Sequence, residues 1–226
     1  MRLLLLSDLH GAIEQLERID AEFKRSDAVL FAGDFAKFNE TETGLPALKA
    51  LCARHDTIFA VLGNCDKPDF IAALEAADIN VQGALVFAEG LAFAGSGGGS
   101  KFTGTTPYER TDEELAGDLQ TVHNAIAEES DGKWSNLVLI AHNPILNTKT
   151  DLVAPDVHVG SALLREFIEK VQPVLAVCGH IHESAGIDII GRTTVINPGA
   201  LAEGHYAVAE LENTDSGPAV TKAELF

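Results

Sequence analysis

Five short apolar runs, each closed by a polar cluster, constrain the fold of this chain more than any other feature. Leu3 to Leu6, Ala28 to Ala32, Ile58 to Leu62, Leu137 to Ala141 and Val174 to Cys178 are rich in branched residues, the pattern of strands buried on both faces. Between them, Ala12 to Arg25 sets Ile13, Leu16, Ile19 and Phe23 at helical spacing, and 45–53, 69–77, 112–128 and 161–170 also read as helices. Strand and helix alternate, so the fold class is α/β. From Gly83 the pattern becomes one of closely spaced short strands: 84–88 and 91–94, with a turn near Glu89-Gly90, then 187–190, 193–196 and 206–211. The last three read as a meander able to pair into a second sheet. Two packed mixed sheets with helices outside are therefore expected. Gly95 to Ser100 and the polar stretch after it read as a flexible surface loop, mobile over the site.

A chain of 226 residues, 46% hydrophobic and 22% charged, buries a large core within one domain, residues 1–226. The run Leu3 to Leu6 is too short for a secretory or membrane-spanning segment. Cys52, Cys65 and Cys178 give no paired framework, so a cytoplasmic protein with no membrane partner is expected. With 34 acidic against 16 basic residues the net charge is −18. That field repels polyanions and disfavours a stable nucleic-acid footprint, whereas a small phosphoester is compatible with it. Oligomeric state is not legible.

The chemistry-bearing residues stand where the strands end. Asp8 and His10 follow the first run, Gly33-Asp34 the second and Gly63-Asn64-Cys65-Asp66 the third; His142 follows the fourth, and Gly179-His180-Ile181-His182 the fifth. In open α/β sheets ligands bind beyond the carboxyl ends of strands, so these blocks are expected to converge. Singly, Asp-x-His is as readily a helix cap, and Gly-Asp and Gly-Asn are ordinary turn dipeptides. Together they offer two Asp, one Asn and four His. That donor set suits Mn, Fe, Ni, Co or Zn and not an all-oxygen Mg or Ca cage. A shared carboxylate, for which Asp34 is the candidate, allows two metals to sit ~3.5–4 Å apart, as in phosphoryl transfer.

In order and spacing, these blocks resemble the signature of the calcineurin-like metallophosphoesterase superfamily over most of the chain. Gly95 to Gly99, Thr106-Pro107, 158–161 and 197–199 further resemble its small Icc-related predicted phosphoesterases. The resemblance implies a four-layer αββα sandwich with two divalent transition metal ions, Mn first among them. It implies that Asp8, His10 and His182 hold one ion, that Asn64, His142 and His180 hold the other, and that Asp34 bridges them. It also implies in-line attack of a metal-bridging hydroxide on a phosphoester, with Asp34, Asn64 and His142 in the catalytic centre.

One position departs from that pattern. The superfamily usually has His after Gly-Asn, where it is thought to meet phosphate or protonate the leaving group. Here Cys65 stands there, and a neutral thiol is a weak donor. Some small bacterial and archaeal members with the same Gly-Asn-Cys-Asp block are regarded as phosphodiesterases. His158, in a polar loop before a helix, is the alternative source of a proton, and capping that helix is its bland role. Lys101, Tyr108 and Arg110 are further candidates for substrate contact, while His55, His123 and His205 carry no functional expectation. A diesterase acting on small or nucleotide-like phosphodiesters is the leading expectation. The alternatives are a phosphomonoesterase and a non-catalytic binding scaffold of the same fold. A scaffold is expected to lose ligands, and this sequence presents all seven.

Overall fold

The computed structural model describes residues 1–126, 132–215 and 217–226. Its first sheet is seeded by three parallel strands, β1 (Arg2–Leu6), β2 (Ala28–Phe31) and β3 (Ile58–Ala60). The hairpin strands β4 (Leu85–Ala88) and β5 (Leu91–Ser96) open the second sheet, and β6 (Gly99–Ser100) pairs with β7 (Glu109–Arg110) in a short ribbon. Then follow β8 (Leu137–Ala141), a ribbon of β9 (Leu152–Ala154) and β10 (Val157–His158), β11 (Leu175–Val177), β12 (Gly186–Ile190) and β13 (Thr193–Asn197). Two long strands, β14 (Ala207–Thr214) and β15 (Gly217–Leu225), end the chain. The sheets run β15-β14-β1-β2-β3 and β12-β13-β11-β8-β5-β4. Both are mixed: the first is parallel from β1 to its β3 edge and antiparallel on the β14-β15 side, and the second has a parallel centre with both edges antiparallel.

Side chains alternate across each strand, so one apolar run serves two cores. Leu3 and Leu5 enter the core between the sheets, while Leu4 and Leu6 face helices. Phe59 and Phe93 stack across the gap between the sheets, with ring centroids 3.8 Å apart; removing a buried ring such as Phe93 costs ~3–5 kcal/mol. The outer face of the first sheet is covered by α1 (Glu14–Arg18), α2 (Asp20–Arg25), α3 (Gly44–Cys52) and α4 (Ile71–Ala76). The second is covered through Leu119 and Val122, at the start of α6 (Gln120–Ile126), and by α7 (Ala162–Val171); α5 (Asp112–Gly117) begins with a Thr111/Glu114 capping box. The result is the four-layer αββα sandwich.

Three expectations need correction. The C-terminal meander does not stay together: β12 and β13 join the second sheet, while β14 crosses to pair with β1, Leu3 opposite Ala209. The segment 12–25 is two helices, interrupted where Ile19 leaves helical geometry at φ −107°, ψ 17°. The expected helix 112–128 is likewise two, and its last two residues lie outside the described residues. The turn at Glu89-Gly90 is as expected, with φ of 51° and 78°, matching the positive-φ pair of a tight hairpin. Among the described residues no helix is long and apolar enough to cross a membrane.

Candidate metal centre

Parallel strands from both sheets end at one rim, and the loops leaving them carry the expected ligands. Four of those ligands sit in the left-handed backbone region: Asp8 (φ 55°), His10 (47°), Asp34 (61°) and His180 (70°). Such geometry disfavours residues with a Cβ and persists only where neighbours enforce it. Here backbone bonds do so. Asp8 N–H donates to Gly33 O (2.9 Å) and His10 N–H to Asp34 O (3.0 Å), tying the first loop to the second. His180 N–H donates to Oδ2 of Asp8 (3.0 Å), tying the fifth loop to the first. Gly179 allows that approach, since a Cβ there would meet Oγ of Ser7 at 1.8 Å.

The side chains form two groups around Asp34. In the first, Nε2 of His10 and His182 lie 3.3 Å apart, and they are 3.8 and 3.4 Å from Oδ1 of Asp8. In the second, Nε2 of His142 lies 2.8 Å from Oδ1 of Asn64, and the His142 and His180 rings are 5.2 Å apart. Oδ2 of Asp34 is 3.7 Å from Nε2 of both His10 and His142, one in each group. The structure thus brings all seven expected ligands together.

The donor chemistry fits divalent transition metals. Oδ1 of Asp8 is buried without a hydrogen-bond partner, a cost that a cation removes. Nδ1 of His10 donates to Ala36 O and Nδ1 of His142 to Ala32 O, at 3.1 and 2.7 Å. Each ring thereby turns its Nε2 lone pair inward. Groups Asp8/His10/His182 and Asp8/Asp34/His142 each place their ligand atoms within 4.8 Å of one another.

Electrostatics follow from burial and carboxylates. Burial lowers His180 to about 4, leaving a neutral ring at neutral pH. The Asp8 carboxylate, 3.4 Å from Nε2, acts against burial and raises His182 to about 9, so a metal must displace a proton there. For Asp8 burial acts upward, but His182, then His142 and His10, hold it well below the usual carboxylate range. Burial, then the Asp34 charge, push the Cys65 thiol far up, so it is neutral.

The family model for the calcineurin-like phosphoesterase superfamily domain matches residues 1–214. The chain belongs to this superfamily. The phosphoesterase is 33% identical over 204 residues to the uncharacterized protein MJ1162 of Methanocaldococcus jannaschii, covering 88% of each chain. Its fold is similar to that of TT1561 of Thermus thermophilus, with TM-score 0.72, 18% identity, and coverage of 100% and 97%. It is also similar to a dimetal phosphatase from Danio rerio, with TM-score 0.62, 11% identity, and coverage of 100% and 98%. Family and ligand set make it a phosphoester hydrolase of a metal-dependent class.

Other candidate residues of this phosphoesterase are placed as follows. Cys65 is buried at the centre, with Sγ within reach of His10 and Asp34, and its N–H donates to Oδ1 of Asp34 (2.7 Å). His158 donates from Nδ1 to Oδ1 of the buried Asp151 (2.6 Å), and no hydrogen bond joins it to a metal-ligand side chain among the described residues. Arg110 and Tyr108 are held by Asp118 and Gln82, while Lys101 is exposed.

The expected surface loop is different in kind. Gly95 to Gly99 are buried, and a Cβ on Gly97 would meet Oε1 of Gln82 at 1.9 Å, while one on Gly99 would meet Cβ of Asn64 at 3.1 Å. Gly98 N–H donates to Leu62 O, and Tyr108 N–H to Asn64 O. These glycines serve close approach to the third loop; the exposed part is 101–105 and Pro107.

Three residues escaped the sequence reading. Asp66 takes the N–H groups of Gly63, Asp34, Phe35 and Ala36 on its carboxylate, holding the second and third loops together. Its place in Gly-Asn-Cys-Asp was the available signal. Burial, then Asp34, push it up to about 7 against those donors. Glu203 accepts from Nδ1 of His182 (3.2 Å) and orients that ring; Glu183 stands beside it on the same cleft. Neither has a local sequence signal.

Proposed function

We propose that the protein is a dinuclear metal-dependent phosphodiesterase that hydrolyses small or nucleotide-like phosphodiesters in the cytoplasm. The observation that supports a dinuclear centre is the position of Asp34, whose Oδ2 lies 3.7 Å from a histidine of each ligand group, where one carboxylate could serve two ions. Asp8, His10 and His182 would hold one ion, and Asn64, His142 and His180 the other. A divalent transition metal suits them, Mn2+ first. When bound, two such ions supply Lewis acidity that makes a coordinated water nucleophilic near neutral pH and offset charge on the phosphoryl oxygens.

The protein's own groups orient and balance this centre. Ala32 and Ala36 carbonyls set the His142 and His10 tautomers, and Glu203 does the same for His182. Asn64 contributes a neutral oxygen. Two divalent ions against the carboxylates of Asp8 and Asp34 leave a charge of about +2, which attracts a phosphate despite the acidic surface. His158, with Nδ1 held by Asp151, is the candidate proton donor to the leaving group, and the neutral Cys65 thiol is the weaker one. An acidic surface suits a small substrate better than a nucleic acid.

The test compares turnover of bis(p-nitrophenyl) phosphate and p-nitrophenyl phosphate with Mn2+, before and after chelation, alongside metal analysis. Diester preference with two ions per chain is expected. Strong monoester preference removes the diesterase reading, and a chain that binds no metal and turns over neither ester is a scaffold.

A further inference from the structure

The ligand histidines are backed in two different ways. Nδ1 of His10 donates to the main-chain carbonyl of Ala36 and Nδ1 of His142 to that of Ala32. His182 turns Nε2 towards Asp8 and donates from Nδ1 to Oε1 of Glu203, at 3.2 Å. Among the described residues it is thus the one ligand histidine with a carboxylate on the nitrogen opposite the site. A charged acceptor makes the stronger hydrogen bond, and such a partner both fixes the ring and raises the basicity of the nitrogen that meets the metal.

Main-chain bonds hold Glu203 in that position. In the turn Leu201–Glu203, the N–H of Leu201 donates to Ser7 O (2.9 Å) and that of Ala202 to Asp8 O (3.0 Å). Gly204, at φ 93°, closes the turn by returning its N–H to Leu201 O. The segment that carries Glu203 is therefore fixed to the backbone of Asp8, a ligand of the same group as His182. No hydrogen bond or ion pair joins Glu203 to Asn64, His142 or His180 among the described residues. Glu183 supplies the contrast: it lines the same open cleft as His180, His182 and Glu203, is exposed, and carries the same charge without a hydrogen bond to a ligand histidine.

We propose that Glu203 is a positioning residue that acts through His182 to set the affinity for one of the two ions, that of Asp8, His10 and His182, and leaves the other ion unaffected. The assignment rests on the dinuclear reading and adds to it a residue whose effect is confined to one ion. Its rival is a general field effect, in which an acidic cleft concentrates cations. A field acts on both ions, and Glu183 contributes to it as much as Glu203 does.

The experiment titrates the full chain, freed of metal by chelation, with Mn2+ in a calorimeter and counts bound metal after dialysis. Glu203→Ala is expected to weaken one of two ions about 10–100-fold and to leave the other within about twofold of its native affinity. Glu203→Gln, which keeps an acceptor oxygen without the charge, should fall between native and Glu203→Ala, and Glu183→Gln should match the native protein. Paired variants assign the ion. Added to His142→Ala, which leaves the first ligand group whole, Glu203→Ala should weaken the remaining ion by the same factor; added to His182→Ala it should change nothing. The Glu203 side chain is 57% exposed, and thermal melts check that each variant folds. Native affinities in Glu203→Ala, equal weakening of both ions, an equal loss from Glu183→Gln, or a loss that persists with His182→Ala overturns the positioning role alone. A native chain that takes up no Mn2+ overturns the dinuclear reading and this proposal with it.

Discussion

A methyl group on Gly63 would fall 1.9 Å from Oδ1 of Asp34 and 2.3 Å from the Asp34 backbone nitrogen. The second contact is with main chain, so no side-chain rotation relieves it. Gly63→Ala is therefore expected to push Asp34 out of place, lowering metal content below two ions per chain and stability by ~1–3 kcal/mol. Metal analysis and thermal unfolding check this; a variant with two ions and native melting would show that the close approach is dispensable.

Asp34→Asn should remove more activity than His10→Ala, because the carboxylate faces both ligand groups and His10 only one. Both variants should remain folded. Normal turnover by Asp34→Asn with two ions bound would end the bridging role.

His158 is half-buried, with one ring nitrogen committed to Asp151, which also takes the N–H groups of Asn147, Thr148 and Gly160. If the other nitrogen serves the leaving group, His158→Ala slows hydrolysis of alkyl or nucleoside diesters ~10²–10⁴-fold and spares nitrophenyl esters, whose leaving group departs without a proton. Cys65→Ala should do little to either. Equal slowing of both classes by His158→Ala would assign the residue to phosphate binding or loop structure.

The exposed loop is organised by Glu109, which accepts the N–H groups of Phe102, Gly104, Thr105 and Thr106. Those bonds, led by Phe102, lower its carboxyl from 4.5 to about 2. A depressed acid stabilises the fold above its unfolded value and loses that contribution as pH falls through the folded one. The stability gap between the native protein and Glu109→Gln should thus be full above pH 4.5 and close as pH falls towards 2. A gap independent of pH in melts across that window would contradict the assignment.

Deleting Gly97 to Gly99 should reduce metal content as well as alter substrate preference, since this segment packs on Asn64 and bonds to Leu62. The sequence reading as a flexible loop leads to the opposite expectation, a change in preference with metal retained. Metal analysis of the deletion variant separates the two.

The legible part of this protein was local. Branched apolar runs with period-two burial predict strands, and Asp8, His10, Asp34, Asn64, His142, His180 and His182 announce themselves because each stands directly after such a run. What surrounds them was not legible. The alternation in 206–211 is the same whichever sheet it joins, and only the pairing of Ala209 with Leu3 places β14 beside β1. A glycine run reads as freedom in one dimension; Gln82 and Asn64 pressed against it turn it into close packing. Glu183 and Glu203 carry no pattern of their own and gain meaning from the histidines they stand beside. The sequence by itself determined the fold class and the donor set, because propensity, periodicity and ligand chemistry act over a few residues. The tertiary structure decided how closely those donors converge and which neighbours hold them, because that depends on contacts between chain segments far apart in sequence.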